Sequence, residues 1–161
     1  MHIPKLFYRG FSNATTGIFE PVTDKTREIL LAEDNPADVY LIREALREHS
    51  VDYTMRVASD GKEVLRILSP EQAQTQAQSL GLIILDLNLP RHDGIEILEH
   101  LRQMRELAHI PVVVLTSSDS PRDRLMANQL GATCYLRKPS GLEQFLSLGA
   151  TFKELLGQTN T

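Results

Sequence analysis

Residues 82–93, LIILDLNLPRHD, constrain the fold more than any other segment of the chain. Four apolar residues precede Asp86, and Pro90 prevents a central strand from continuing. A short apolar run of this kind is typical of a strand buried on both faces of a parallel sheet. Open α/β sheets bind their ligands at the carboxyl edge of the strands. The segment therefore predicts Asp86 at a ligand-binding edge, with a role as a turn or helix-capping residue as the simpler alternative.

The same organisation repeats along the chain. Short apolar runs alternate with stretches whose apolar residues recur at helical spacing, which is typical of an α/β domain with a parallel sheet. The least apolar run is expected at an edge of the sheet. Five strands are predicted, over residues 29–32, 54–58 (the edge strand), 82–85, 111–115 and 133–137. Five helices are predicted to begin near residues 36, 61, 94, 121 and 141, the third of them running to about residue 107.

One predicted domain accounts for most of the 161 residues, of which 42% are hydrophobic and 24% charged. Its expected bounds are 28–156, followed by a short tail over 157–161. Residues 1–27 mix helix breakers with turn formers and predict a mobile or loosely docked extension. The four aromatic residues of this extension also allow it to dock on its own domain or on a partner subunit. Residues 69–80 either lengthen the second helix or form a surface loop, with little contribution to the core.

Charge and hydropathy exclude several classes of protein. The net charge is −4 and no long basic run occurs, which disfavours binding to nucleic acid. The longest apolar runs fall far short of the roughly 20 residues that a membrane span requires. The first ten residues, MHIPKLFYRG, lack the apolar centre of a secretory signal. We therefore expect a cytoplasmic protein.

Polar and charged residues follow the predicted strands at the same edge of the sheet. Because the carboxyl ends of parallel strands converge, we expect these side chains to share one crevice. Three carboxylates so close would repel one another and raise their pKa values unless a cation joined them. Oxygen ligands of this kind favour Mg²⁺, with Mn²⁺ as a substitute. The residues are Glu33, Asp34, Asp86, Thr116 and Lys138.

This set of residues suits phosphoryl transfer onto a carboxylate. Asp86 would be the nucleophile that attacks a donor's phosphoryl group in line. The metal and Lys138 would neutralise charge on the phosphoryl oxygens, and Thr116 would offer a hydroxyl to one of them. The main-chain carbonyl of Asn88 is placed by the turn to complete the metal's ligands. Taken singly, the acidic pair would be helix caps and Lys138 a solvated charge.

Four segments resemble the response-regulator receiver domains of two-component signalling. They are LLAEDNPAD, LIILDLNLPRHDG, VVVLTSSD and CYLRKP, in that order, within residues 28–156. The resemblance implies a flavodoxin-like α/β fold, a doubly wound five-stranded parallel sheet of order 2-1-3-4-5 with helices on both faces. It also implies a phosphoprotein rather than an enzyme, since a receiver catalyses only its own phosphotransfer and slow dephosphorylation.

The resemblance assigns a role to each residue of the site. Asp86 corresponds to the phosphorylated residue. Asp34, Asp86 and the Asn88 carbonyl correspond to the Mg²⁺ ligands, and Glu33 to a residue that helps directly or through water.

The resemblance also implies a pair of residues that act as a conformational switch. Thr116 and Tyr135 correspond to the pair that couples phosphorylation to a change at the surface. The bond between Lys138 and Pro139 corresponds to one that is usually cis. Tyr135 could equally be a half-buried aromatic residue without such a role.

The EDNPAD, DLNLPR and VVVLTSS segments, together with the insert before the third strand, are most similar to small regulators of bacterial and cyanobacterial phytochrome histidine kinases. A sensor histidine kinase, with a phytochrome as the candidate, is therefore the implied phosphoryl donor. The extension over residues 1–27 departs from that subfamily.

The expected output is protein contact, because no DNA-binding domain follows residue 156. The routes are docking to a partner, relay to a histidine phosphotransfer protein, or dimerisation. The last helix carries a wide apolar arc, which favours a homodimer through the face of the fourth helix, the fifth strand and the last helix. Deep packing of this helix is the alternative. The arc consists of Leu142, Phe145, Leu146, Leu148, Phe152, Leu155 and Leu156.

Other classes of function fit less well. A flavodoxin-like FMN carrier would bind phosphate at the loop after the first strand, where Glu33 and Asp34 would repel it. A haloacid-dehalogenase phosphatase would need a D-x-D motif and a cap domain. A receiver-like binding or scaffold module that works without phosphorylation stays open as the alternative.

Overall fold

The computed structural model describes residues 27–157 of the chain. Its strands are β1 (Arg27–Ala32), β2 (Tyr53–Ala58), β3 (Leu80–Leu85), β4 (Val112–Thr116) and β5 (Cys134–Arg137). Its helices are α1 (Pro36–Glu48), α2 (Gly61–Ile67), α3 (Ala73–Ser79), α4 (Gly94–Arg102), α5 (Pro121–Gln129) and α6 (Leu142–Leu155). A 3₁₀ turn, Arg105–Leu107, follows α4.

The five strands form one parallel sheet in the order β2-β1-β3-β4-β5. This confirms the predicted fold class, strand order and edge position of the second strand. All six residues of the central β3 are buried, as expected for a strand covered on both faces.

The core lies in two layers, one on each face of the sheet. Side chains of β1, β3 and β4 alternate between the layers because successive residues of a strand point to opposite faces. On one face, α1 and α6 cover Ile29, Leu31 and Ile84 with Ile42 and Phe152. The other layer packs under α2 to α5 around Leu30, Ile83, Val64, Ile97 and Ala127.

β3 begins before the apolar run that predicted it. Gly81 interrupts the run, and a side chain there would lie 2.7 Å from the Cβ atom of Arg27 and 3.0 Å from Leu156. The pairing of β1 with β3 shifts at this point, between Glu28 and Ile29. A glycine at such an irregularity hides the start of the strand from a hydropathy pattern.

The insert before β3 is neither a longer second helix nor a loop. α2 ends at Ile67, Pro70 follows, and a separate helix α3 then buries Ala73 and Gln76. Likewise, the predicted third helix stops at Arg102 and continues only as the 3₁₀ turn. Alanine and glutamine are good helix formers, which explains the extra helix.

Side-chain caps start four of the helices directly after loops at the carboxyl edge. Each capping oxygen accepts a main-chain N–H of the first turn, which fixes where the loop ends. The caps are Asn35 on α1, Asp60 on α2, Asp93 on α4 and Ser120 on α5.

The predicted N-terminal extension lies outside the described residues, except that Arg27 is the first residue of β1. The predicted tail over 157–161 also lies outside them, apart from residue 157. Between residues 27 and 157, no helix combines the length and the apolar character that crossing a bilayer demands.

Candidate functional site

The sheet aligns the site residues through main-chain hydrogen bonds that continue past the strand ends. The Glu33 N–H donates to the Ala58 carbonyl over 3.0 Å, and the Asp86 N–H to the Ala32 carbonyl over 3.0 Å. The Lys138 N–H donates to the Thr116 carbonyl over 2.8 Å. Each residue is therefore held in register with the neighbouring strand, and the predicted convergence at one edge is observed.

The Lys138 ammonium joins three carboxylates. Its Nζ atom lies 2.7 Å from Glu33 Oε2, 2.8 Å from Asp38 Oδ2 and 2.9 Å from Asp86 Oδ2. Glu33 and Asp86 are almost completely buried, and the Lys138 side chain is only 11% exposed. An ion pair this sheltered is screened far less than one at the surface.

Glu33 and Asp86 are bound in the same way at their second oxygen. Glu33 Oε1 accepts the N–H of Asn35 over 3.1 Å, and Asp86 Oδ1 accepts the N–H of Asn88 over 3.0 Å. Each carboxylate therefore links the main chain of its own loop to the Lys138 ammonium. These contacts fix the orientation of both side chains.

Asp38 is the member of this group that sequence reasoning missed. It lies in the first turn of α1, where an acidic residue is already explained by the helix dipole. Its presence in the EDNPAD segment was the available signal. Only the packing of α1 against the sheet shows that its side chain points at Lys138.

A group of oxygen ligands lies at the same edge. One carboxylate oxygen each from Glu33, Asp34 and Asp86 fall within 4.8 Å of one another. Glu33 and Asp86 are buried whereas Asp34 is exposed, so the group opens towards solvent on one side. Hard, negatively charged oxygens with an open side fit a divalent cation such as Mg²⁺ or Mn²⁺.

The charges of the site do not balance. Burial raises the pKa of Glu33, and the hydrogen bonds from Lys138 and Asn35 offset this only in part. Burial acts to lower the pKa of Lys138, but hydrogen bonds to Asp38, Glu33 and Asp86 outweigh it and raise that pKa above its ordinary value. Lys138 is therefore firmly protonated, and three carboxylates surround this one ammonium.

The loop after Asp86 touches the end of β4. Asn88 Nδ2 donates to Thr116 Oγ1 over 3.3 Å, and the N–H of Ser118 donates to the same oxygen over 3.3 Å. Thr116 Oγ1 thus accepts two hydrogen bonds, and its own proton is left to donate. The role of the Asn88 main-chain carbonyl as a metal ligand stays a prediction.

Tyr135 is linked to Thr116 through Ser118. The Tyr135 hydroxyl donates to the Ser118 carbonyl over 3.0 Å, and Ser118 Oγ donates to Asp123 Oδ2 over 2.7 Å. The guanidinium of Arg124 lies 4.8 Å above the centre of the Tyr135 ring. Tyr135 is only 9% exposed, so it faces inward. Ser118 could not be selected from the sequence, because it acts largely through its main-chain N–H and carbonyl groups.

A family model described as the response regulator receiver domain matches residues 29–148, which include every residue of the site. The chain belongs to the response regulator receiver family. This confirms the resemblance inferred from the four segments. The family match and the observed sheet order agree on the fold.

The receiver domain is similar to known regulators. Response regulator Rcp1 of Synechocystis sp. is 36% identical over 120 residues, which cover 74% of this chain and 82% of Rcp1. The crystal structure of the phosphorylated cyanobacterial phytochrome response regulator RcpA has a TM-score of 0.73 at 34% identity, covering 85% of this chain and 98% of RcpA. The Mn²⁺-bound form of response regulator Rcp1 has a TM-score of 0.71 at 34% identity, covering 84% and 97%. This confirms the predicted similarity to phytochrome response regulators.

Other curated relatives are much longer than this receiver domain. The receiver domain spans about half the length of several other curated regulators that it matches. The similarity to those longer proteins therefore concerns one part of them.

The bond between Lys138 and Pro139 is trans, because the described residues contain no cis peptide bond. The expectation of a cis bond, which came from the family alone, is wrong for this structure. Trans is the intrinsically favoured state of a bond before proline, by about 0.5–1 kcal/mol.

Proposed function

We propose that this receiver domain accepts a phosphoryl group on Asp86 from a sensor histidine kinase, with Mg²⁺ assistance. A single observation carries the proposal. Asp86 is buried and held at both oxygens, by the Asn88 N–H and by Lys138, beside the carboxylates of Glu33 and Asp34. No residue with only a capping role needs an ammonium and an oxygen-rich group at the same point.

In the transfer, a carboxylate oxygen of Asp86 forms a bond to phosphorus as the bond from phosphorus to the donor's histidine nitrogen breaks. The electron pair of the broken bond stays on that nitrogen, and the proton on the donor's other ring nitrogen makes the departing imidazole neutral and ready to be phosphorylated again. Lys138 pairs with the charge on the phosphoryl oxygens. Thr116 donates the proton that its two accepted hydrogen bonds leave available.

Bound Mg²⁺, or Mn²⁺ in its place, would neutralise phosphoryl charge and orient the donor. Glu33, Asp34, Asp86 and the Asn88 carbonyl are the proposed ligands, with Glu33 acting directly or through water. Support comes from the convergence of the three carboxylates and from the similarity to Rcp1, whose Mn²⁺-bound form has been crystallised.

Thr116 and Tyr135 form the proposed switch. A shift of Thr116 towards the phosphoryl group would disturb the Ser118 N–H that it now accepts. Ser118 also accepts the Tyr135 hydroxyl, so the disturbance would reach the surface under α5. The observed chain of hydrogen bonds supports this route.

A phytochrome histidine kinase is the proposed phosphoryl donor, in view of the similarity to RcpA, a phytochrome response regulator. The signal then passes by protein contact, to a partner or to a histidine phosphotransfer protein. ATP, from which such kinases take the phosphoryl group, is cytoplasmic, and we place the function there. The proposed bounds of the receiver domain are residues 28–156, with residues 1–27 as an extension.

A homodimer through α5, β5 and α6 is a further part of the proposal. They correspond to the fourth predicted helix, the fifth predicted strand and the last predicted helix. The helix numbers differ because α3 was not predicted from the sequence. Leu125 and Leu142 are 57% and 60% exposed on them. However, Phe145 and Phe152 point into the core, which shows that much of the apolar arc serves packing. Sedimentation with and without a phosphoryl mimic tests the dimer, and a monomer under both conditions would exclude it.

Phosphorylation itself is tested with acetyl phosphate or the kinase as donor. We expect the wild-type protein to be labelled in an Mg²⁺-dependent manner and Asp86→Ala to be unlabelled. Asp119→Ala, which removes an exposed carboxylate at the same edge, is the matched control and should be labelled normally. Equal labelling of Asp86→Ala would place the acceptor elsewhere. No labelling of the wild type would favour the phosphorylation-independent binding module.

A further inference from the structure

Asp38 is a carboxylate at the Lys138 ammonium that lies outside the acidic group suited to a metal. Its Oδ2 atom is 2.8 Å from Lys138 Nζ, and its side chain is 19% exposed. The converging oxygens belong to Glu33, Asp34 and Asp86, and Asp38 is not among them. Asp38 therefore contacts the catalytic lysine without being a ligand candidate.

The three carboxylates around Lys138 come from different elements. Glu33 and Asp86 lie in loops after strands, whereas Asp38 is fixed in the first turn of α1. The ammonium donates hydrogen bonds to Asp38 Oδ2 and Asp86 Oδ2 and forms an ion pair with Glu33 Oε2. All three carboxylates therefore share the Lys138 ammonium in the resting site.

Phosphorylation must change this sharing of protons. Glu33 and Asp86 are the partners of Lys138 that the proposed metal and phosphoryl group also engage. Neither the proposed metal nor the phosphoryl group engages Asp38, so its contact with Lys138 can persist throughout phosphotransfer. A long lysine side chain that keeps one fixed partner is held near the acceptor instead of searching for it.

We propose that Asp38 is a positioning residue that keeps the Lys138 ammonium oriented at Asp86 before and during phosphotransfer. This inference rests on the proposed role of Asp86 as phosphoacceptor. It assigns Asp38 an effect on the rate of transfer, separate from metal affinity.

The first test measures the initial rate of phosphorylation by acetyl phosphate across a Mg²⁺ titration. In Asp38→Ala, the maximal rate should fall about tenfold, as expected when a catalytic group loses its orientation. The Mg²⁺ concentration at half-maximal rate should stay within about twofold, because no proposed ligand is lost. Asp38→Asn keeps an oxygen that accepts from Lys138 and should fall between Asp38→Ala and the wild type. Glu48→Gln, which removes an exposed charge at the other end of α1, should match the wild type.

The second test needs neither metal nor phosphoryl donor. The Lys138 ammonium protons, held by three carboxylates, should give an NMR signal in the metal-free wild-type protein at low temperature. Asp38→Ala should lose or broaden this signal through faster exchange with water, and Glu48→Gln should keep it. The isosteric Asp38→Asn decides the question if the alanine variant fails to fold.

Two results would overturn the inference. An unchanged maximal rate with an unchanged ammonium signal would reduce Asp38 to a helix-dipole residue. A rate that recovers fully at high Mg²⁺ would mean that Asp38 acts on the metal and not on Lys138. Failure of the proposed function looks different, since the wild type would then stay unlabelled or Asp86→Ala would be labelled.

Discussion

The Tyr135 hydroxyl donates a 3.0 Å hydrogen bond to the main-chain carbonyl of Ser118, the residue whose N–H is bound to Thr116. The proposed switch pair, Thr116 and Tyr135, is thus connected through the main chain of Ser118. The Arg124 guanidinium covers the outer face of the Tyr135 ring, which favours the inward orientation.

Tyr135→Phe removes this hydrogen bond and leaves the ring in place. We expect the free energy of unfolding to fall by about 1 kcal/mol, the usual net contribution of such a bond. Amide hydrogen exchange in the loop after β4 should become faster. Tyr40→Phe is the control, because Tyr40 is 62% exposed, and it should change stability by less than about 0.5 kcal/mol. Unchanged exchange in Tyr135→Phe would show that Ser118 is held without Tyr135.

Lys138→Met leaves three carboxylates without their shared cation. In the absence of divalent metal, we expect the free energy of unfolding to fall by about 3 kcal/mol, as for other buried ion pairs that lose one partner. Added Mg²⁺ should restore much of this loss. Urea denaturation with chelator and with Mg²⁺ measures both effects.

The control for that variant is Lys62→Met, which removes an exposed ammonium from α2. It should leave stability nearly unchanged under either condition. If Mg²⁺ stabilised neither Lys138→Met nor Lys62→Met, the acidic group would not be the site of metal binding.

Much of the site was predictable because it follows from topology. In a parallel sheet, strand ends meet at one edge, so the positions of Glu33, Asp86, Thr116 and Lys138 in the sequence already place them together. Asp38 was not predictable in this way. Its direction depends on how α1 rotates against the sheet, which is set by packing of side chains far apart in the sequence.

The fold was predictable to the same extent. The elements that were predicted wrongly have similar physical causes. Apolar runs identified every strand, but Gly81 concealed the start of β3, and the weakly apolar α3 had no periodic signal to separate it from a loop. The trans bond before Pro139 shows the limit of family resemblance.

Glu33→Gln should remove a loss in the free energy of unfolding that the wild type shows as the pH rises. Burial raises the pKa of Glu33 in the folded protein, so folding is favoured when this carboxyl is protonated. Its contribution to stability is therefore present below the unfolded-state pKa, about 4.3, and is lost as the pH rises through the folded-state pKa. Metal-free Glu33→Gln should escape this loss and exceed the wild type by on the order of 1 kcal/mol near neutral pH.

The advantage of Glu33→Gln should disappear at low pH, where the wild-type carboxyl is itself neutral. It should also reverse when Mg²⁺ is added, because the wild type keeps a charged ligand. Thermal unfolding between pH 4 and pH 8, with chelator and with Mg²⁺, measures these differences. A variant that is less stable than the wild type at every pH would mean that the Lys138 hydrogen bond outweighs the cost of burying Glu33.

Gly149→Ala separates helix propensity from packing. Propensity alone favours alanine over glycine inside a helix by about 1 kcal/mol. At this position, however, an added Cβ atom would meet the Ala45 carbonyl oxygen of α1 and lie 2.5 Å from His49 Cδ2 and 2.7 Å from the Ala45 carbonyl carbon. Main-chain atoms cannot move aside without shifting α1 as a whole. We therefore expect Gly149→Ala to destabilise the domain by about 2 kcal/mol, within the range for overpacked cores.

The neighbouring Ala150 is exposed and provides the reference for propensity on the same helix. Ala150→Gly should cost about 1 kcal/mol in urea denaturation, through propensity alone. The two substitutions thus exchange the same residues in opposite directions, and both should destabilise. If Gly149→Ala stabilised the domain, the close approach of α1 and α6 would be incorrect, and with it the placement of α1 that directs Asp38 towards Lys138.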